Sequence, residues 1–312
     1  MSRRVLLILN PTSGAGRGGS LREQLLGLSE EILDGAELQL TEAPGHATEI
    51  VRREVERFDL IVAVGGDGTV HEVVNGLIDD GRVIHPGVGL GIVHTGTGGD
   101  LVKTLQVPRD LRAALERIST AELRPIDVLD VQLAGLGTDE TVRRVCINVA
   151  GIGMNGQVVK RANEGSKRWG PRATFVGATV RSLAAHRPWP VRLDWIDGGG
   201  EAGAWEGPLV SAFVANGQYC GGGMWVGRGG SMEDGLADLT VVPQLSTGRM
   251  VLGFPRLFLG TMDRVEGVLR APIRSLEGIS LSGNDVLVEL DGELTGRLPA
   301  KVDVLPKAML IA

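Results

Sequence analysis

The stretch Val62-Ala63-Val64-Gly65-Gly66-Asp67-Gly68-Thr69-Val70 constrains this chain most: an apolar run ends in three glycines set around one carboxylate, then resumes with helical spacing. The run at 60–64 reads as a buried strand and the residues from Thr69 as a helix, with Val70, Val73, Val74, Leu77 and Ile78 on its apolar face. Between them Gly65, Gly66 and Gly68 remove side chains, so that backbone N–H groups can approach an anion. The helix dipole directs its positive end at the same place. This is the logic of a phosphate cradle. A carboxylate beside phosphates is repulsive, so Asp67 requires a proton to handle or a cation, and Mg2+ bridging nucleotide phosphates supplies one. An Asp-Gly turn alone would account for the same residues. Thr69 and Glu72 have the T-x-x-E spacing of a capping box.

Around this turn the chain alternates strand and helix patterns: strands at 4–10, 36–42, 60–66 and 88–96, with helices from Ser20, through 48–58 and from Thr69. Such alternation implies a parallel sheet with right-handed crossovers and ligands at the carboxyl ends of its strands. After 123–133 the texture changes to alternating runs at 141–151, 190–197, 208–217, 236–244 and 285–293, the pattern of an antiparallel sandwich. Helices interrupt it at 155–187 and 246–260. The expected architecture is therefore an α/β N-terminal domain, a Rossmann-like parallel sheet with flanking helices, over 1–128 and completed by 300–312. A mainly antiparallel β-sandwich domain follows over 129–299. With 312 residues and 43% hydrophobic content, two cores are affordable.

Composition excludes several classes. A net charge of −6 argues against nucleic acid as a partner. Cys146 and Cys220 lie far apart in apolar runs, which reads as buried thiols in a reducing compartment. The apolar run near the N-terminus is too short for a signal peptide, and no window approaches a spanning helix, so a cytoplasmic protein is expected. Gly14-Ala15-Gly16-Arg17-Gly18-Gly19 matches G-x-G-x-x-G, but Pro11-Thr12-Ser13 separates it from the strand, which weakens a dinucleotide reading. No P-loop and no G-x-S-x-G occur. His71-Glu72 begins an H-E-x-x-H pattern that ends in Asn75, so a zinc site is not expected.

Six segments in order resemble the soluble diacylglycerol-kinase-like lipid kinases, which include the sphingosine and ceramide kinases. Asn10-Pro11-Thr12-Ser13-Gly14 resembles the family's N-P-x-S-G, Gly65 to Thr69 its G-G-D-G-T, and Gly96-Thr97-Gly98-Gly99-Asp100 its third loop. Asp127 falls on its acidic position near the domain boundary. The segment 229–242 is similar to its D-G-L-x-D, and Asp291-Gly292-Glu293 to its D-G-E.

The resemblance implies an ATP site on the first domain, formed by Asn10, Ser13, Thr41, Gly65, Gly66, Asp67, Gly68, Thr69 and Thr97, and a catalytic cleft between the domains. Glu293 would be the general base that takes the lipid hydroxyl proton, while Asp67, Asp100 and Asp127 organise Mg2+ and water. Asp67 would ligate the Mg2+ that accompanies ATP. A separate structural Mg2+ would be held by the Asp234 carboxylate and the Ser231 and Leu236 carbonyls. On residues alone Asp291-Gly292 and Asp234 read equally as turns. The implied activity is transfer of the γ-phosphate of ATP to a lipid hydroxyl, diacylglycerol to phosphatidic acid. The alternatives are an NAD-kinase-like or sugar-phosphate kinase, and an inactive lipid- or nucleotide-binding regulator. Partners would be ATP, a diacylglycerol-like lipid and, peripherally, the inner membrane face; a homodimer is left open. Lys160, Arg161, Lys167, Arg168, Arg172 and nearby Trp169 and Trp189 form a basic stretch that would either meet anionic lipid or remain a solvated face. Ala15, His71, His94 and Gly99 depart from the family pattern, the last removing a polar side chain beside Asp100.

Overall fold

Val5–Leu9, five apolar residues that are all buried, form the first strand of a parallel sheet in the computed structural model, which describes residues 3–13, 18–96, 98–164 and 188–312. The chain divides into two units, 1–126 with 307–312, and 127–306.

The first unit runs β1 (Val5–Leu9), α1 (Gly18–Ile32), β2 (Glu37–Leu40), α2 (His46–Glu54), β3 (Leu60–Gly65), α3 (Asp67–Leu77), a short hairpin β4 (Ile78–Asp79) and β5 (Arg82–Val83), β6 (Gly89–His94), α4 (Asp100–Thr104) and α5 (Leu111–Thr120). β1 pairs in parallel with β2 and β3, and β3 with β6. Leu310 and Ile311 add a further parallel rung on Gly89 and Leu90. β1, β3 and β6 are buried along their whole length, as strands covered on both faces must be, and their apolar runs are correspondingly continuous. Leu25, Leu115 and Ile118 pack with Leu7, Val62 and Val64 in one core. Gly76 lets α3 approach α2, since a Cβ there would stand 2.5 Å from Val51 Cβ. The register pairs Leu9 with Val64 and Gly65 with His94, so the loops after β1, β3 and β6 leave the sheet from one edge.

The second unit contains β7 (Arg124–Ala134), β8 (Thr141–Cys146), β9 (Val149–Gly153), α6 (Met154–Glu164), β10 (Trp189–Asp197), β11 (Ala202–Ala215), β12 (Tyr219–Cys220), β13 (Met224–Trp225), β14 (Ala237–Pro243), a helix Thr247–Leu259, β15 (Leu269–Ser280), β16 (Leu287–Leu290) and β17 (Glu293–Ile311), the last six residues of the chain belonging to the first unit. Its ladders are antiparallel. β10 pairs with both β11 and β15, and β14 with the same two, so these four strands close on themselves around Leu193, Leu209, Leu239 and Leu276.

The run expected as one strand over 141–151 is two, broken at Ile147 and Asn148, whose amides turn away to a side chain described below. Cys146 is buried but Cys220 is only half-buried, and the two are not joined in a disulfide. Lys167, Arg168, Trp169 and Arg172 lie outside the described residues, as do the side chains of Lys160 and Arg161. Trp189 opens β10 and is partly buried against the core of its unit. Among the described residues no helix is long and apolar enough to cross a membrane.

Candidate active site

The three loops at the carboxyl edge of the parallel sheet are tied together by polar side chains. The Asn10 amide N–H donates to the Val64 carbonyl at 3.0 Å, and its Nδ2 donates to Thr69 Oγ1 at 3.3 Å, which joins the first loop to the start of α3. Asn10 Oδ1 accepts from the Thr12 amide and hydroxyl. Ser13 Oγ donates to the Asn10 carbonyl and is hydrogen-bonded to the Thr95 hydroxyl at 2.8 Å, reaching the third loop. The Thr95 amide donates to the Gly65 carbonyl at 2.9 Å. Thr41 is buried and its amide donates to the Leu9 carbonyl, so it holds the end of β2 beside the same edge.

The glycines are required by contact. A Cβ on Gly65 would collide with the Thr69 side chain, and one on Gly96 would stand 2.8 Å from Gly66 Cα. Asp67 sits where these loops meet. Its Oδ2 accepts the Gly99 amide at 3.1 Å, and a Cβ on Gly98 would lie 2.5 Å from that oxygen. Its Oδ1 is buried and accepts no hydrogen bond. A buried carboxylate oxygen left without a donor, in a cradle of backbone amides, fits a hard cation held with phosphates. His94, at the end of β6, is also buried, with its ring beside the Gly96 backbone. Burial pushes its pKa down, while the nearby Asp67 charge opposes that shift.

α3 begins at Asp67, not Thr69, with Gly66 as its N-cap and no side-chain cap. The capping box is therefore absent. Thr69 is inside the helix and engages Asn10, while Glu72 turns outward and accepts the Ala47 amide at 3.1 Å, satisfying the N-terminus of α2 instead. Asp100 is the first residue of α4, after Gly99 at φ 97°, a left-handed conformation that favours glycine. Gly68 lies in the first turn of α3. Gly14, Ala15, Gly16, Arg17 and Thr97 lie outside the described residues.

In the second unit Asp127 is fully buried, and its Oδ2 accepts the Gly235 amide at 2.7 Å. Its own amide donates to the Met232 carbonyl at 2.6 Å, so Asp127 grips the segment 231–236 at two points. Asp234 Oδ1 accepts the Leu236 amide at 3.0 Å, and Ser231 Oγ accepts the Glu233 amide at 3.2 Å. Burial raises the pKa of the nearby Asp238, against the Arg270 charge and with that of Asp234; its Oδ1 faces Arg270 at 3.5 Å, while its Oδ2 is buried without a partner. Carboxylate and carbonyl oxygens with an orphaned acidic atom beside them are the donor chemistry that Mg2+ takes. Among the described residues no group of three or more His, Cys, Asp and Glu forms a ligand cluster.

Asp291 and Gly292 have φ 54° and 88°, the type I′ pair that Asp-Gly supports, and they join Leu290 to Glu293. Glu293 is exposed at the start of β17. Asp291 accepts the amides of Ile147 (3.1 Å) and Asn148 (2.8 Å) and the Cys146 thiol (3.0 Å). Burial and Asp291 together push the Cys146 thiol pKa well up. Asn216 Nδ2 donates to the carbonyls of both Asp127 and Ile147, which brings the Asp127 segment and the Asp291 turn into one network. Asn148, Asn216 and Glu289 escape a reading of the sequence. Each stands in an apolar run and is buried by strands remote in the chain.

Residues 4–131 match the model of the diacylglycerol kinase catalytic domain, and residues 148–312 that of the YegS C-terminal NAD kinase beta sandwich-like domain. A lipid kinase YegS-like protein of Stenotrophomonas maltophilia is 27% identical over 272 residues, 86% of this chain and 84% of the relative. The diacylglycerol kinase of Bacillus subtilis is 25% identical over 302 residues, 96% and 92% of the two chains. A crystal structure of a diacylglycerol kinase from Bacillus anthracis has the same fold, with TM-score 0.70 at 22% identity, covering 100% of this chain and 97% of that one. With both halves matched, in the order the two units follow, this chain belongs to the diacylglycerol-kinase-like lipid kinases and is a kinase.

Proposed function

We propose that this kinase moves the γ-phosphoryl group of ATP to the hydroxyl of a diacylglycerol, giving phosphatidic acid. The observation that supports the reading is Asp67, a carboxylate with one oxygen anchored on Gly99 and the other buried and unbonded in a glycine cradle. Mg2+ held there with the nucleotide would neutralise charge on the transferring group. The protein's own part is positioning. Backbone amides from Gly65 to Thr69, with Asn10, Ser13, Thr41 and Thr97, bind the nucleotide; Asp100 and Asp127 orient water and cation. Glu293 accepts the proton of the lipid hydroxyl as its oxygen bonds phosphorus and ADP departs. The 231–236 segment, with Asp234 and the Ser231 and Leu236 carbonyls, would hold a second Mg2+ structurally. The Gly65 to Thr69 turn leans toward diacylglycerol over sphingosine, whose kinases more often carry serine at its first position. A lipid acceptor brings the protein to the inner membrane face as a peripheral visitor.

The test is purified protein with labelled ATP, Mg2+ and, in detergent micelles, diacylglycerol, sphingosine, ceramide, NAD and sugar phosphates offered separately. Label in phosphatidic acid is expected. Transfer to NAD alone overturns the lipid reading, and no transfer to any acceptor with ATP still bound favours a regulator.

A further inference from the structure

Glu289 is a charged residue type on an interior strand. β16 lies between β9 and β17, and Glu289 is paired with Gly151 on one side and Leu294 on the other, next to a register shift at Val288. Its carboxyl occupies the place that a side chain on Gly151 would fill, beside Asn155, which is itself fixed by the Ser211 hydroxyl at 2.7 Å and the Ala212 carbonyl at 3.2 Å. The residue is 6% exposed. One oxygen, Oε2, accepts the Gly292 amide at 2.8 Å. In a two-residue type I′ turn that amide has no ladder partner, so the bond satisfies the N–H of the residue directly before Glu293. Asp291 binds the other half of the turn through Ile147 and Asn148. Both residues of the turn are thus anchored by carboxylates, and the exposed Glu293 follows directly after them.

We propose that Glu289 is a positioning residue for Glu293, holding the Asp291-Gly292 turn through the Gly292 amide so that the base is presented in one orientation. The proposal rests on the reading of Glu293 as general base. Burial, opposed by the Gly292 hydrogen bond and reinforced by the charges of Asp291 and Glu293, raises the Glu289 pKa to about 8. The carboxyl is therefore mostly neutral at pH 7, and glutamine is its closest replacement. Methionine fills the same volume without an acceptor.

The test compares Glu289→Met and Glu289→Gln for kcat, KM for ATP, melting temperature and amide exchange at Gly292. Glu289→Met is expected to lower kcat at least about tenfold, because misplacing a catalytic group by about 1 Å is costly in rate. KM for ATP stays unchanged, melting is unchanged or raised, and Gly292 exchanges faster. Glu289→Gln is expected to restore both kcat and protection. Unchanged kcat in a folded Glu289→Met, or unchanged exchange at Gly292, overturns the proposal. If Glu289→Met does not fold, Glu289→Gln decides: activity lost with Gly292 still protected overturns the proposal, and activity kept with protection supports it. Glu293→Gln separates the two readings. An active Glu293→Gln removes the base assignment, whereas an inactive one beside an unaffected Glu289→Met removes only the positioning role.

Discussion

The Gly99 amide and Asp67 Oδ2 are 3.1 Å apart, and this bond aims the second carboxylate oxygen into a buried position where nothing donates to it. Asp67→Asn keeps an acceptor for Gly99 but replaces a cation ligand with a weaker, neutral one. It should cut kcat by more than about 100-fold, the equivalent of about 2.7 kcal/mol, while the melting temperature hardly moves. Retained turnover with a lowered melting temperature would reduce Asp67 to a turn residue.

Glycines of the third loop should separate activity from stability. A Cβ on Gly98 meets only the Asp67 carboxylate at 2.5 Å, a group that can rotate away, so Gly98→Ala should lose activity and stay folded. A Cβ on Gly96 meets backbone, Gly66 Cα at 2.8 Å, and Gly96→Ala should lower both. Gly27 is the control: it is helical with nothing near it, and Gly27→Ala should stabilise by about 0.5–1 kcal/mol with activity intact. Equal effects at Gly98 and Gly27 would mean that Gly98 has no part in an anion cradle.

Local pattern made the strands of the first unit legible because β1, β3 and β6 are covered on both faces and their runs are unbroken. It misjudged Thr69 and Glu72, whose partners, Asn10 and Ala47, are remote in sequence. A spacing rule sees a helix end but not what lies across from it. The strand Glu293–Ile311 was legible only at its start, since Pro299 and Pro306 interrupt its pattern. Glu289 was hidden for the opposite reason. Alternation in Val288-Glu289-Leu290 sends its side chain to the face opposite the core, and only β9 with Asn155 shows that this face is covered too.

Asp127 should divide by substitution. Asp127→Ala leaves the half-buried Gly235 amide without its acceptor and should cost about 1–3 kcal/mol in urea unfolding. Asp127→Asn retains an acceptor and should unfold near wild type. If Asp127 also organises metal and water, the asparagine variant is folded but slow; wild-type turnover in it would confine Asp127 to holding the 231–236 segment.

Asp234 should report a structural cation through stability alone. A ligand bound only by the folded state stabilises it in proportion to the logarithm of its concentration, by about 2.7 kcal/mol at a hundredfold excess over Kd. Millimolar Mg2+ without nucleotide should raise the melting temperature of the wild type, and Asp234→Ala should abolish that rise without losing the basal fold. An equal Mg2+ response in both proteins would place the cation elsewhere.

Two glutamates should tilt the pH dependence of stability in opposite directions. Hydrogen bonds from Arg53 and Arg57 hold the Glu54 carboxyl at about 2, below its ordinary 4.5. Because the folded pKa is depressed, that contribution is complete above pH 4.5 and disappears as pH falls toward 2. Glu289 is raised from 4.5 to about 8, so the folded state holds a proton that the unfolded state has released. Stability should therefore decline as pH rises through that window, with a slope of up to about 1.4 kcal/mol per pH unit. The Cys146 thiol, which shares these surroundings, is pushed well up by burial and by the charges of Asp291 and Glu289, away from this range. Urea unfolding of wild type and Glu289→Gln across this range reads the difference directly. The glutamine variant should be flatter between about pH 5 and 8, and parallel curves would mean that the Glu289 proton is not linked to folding.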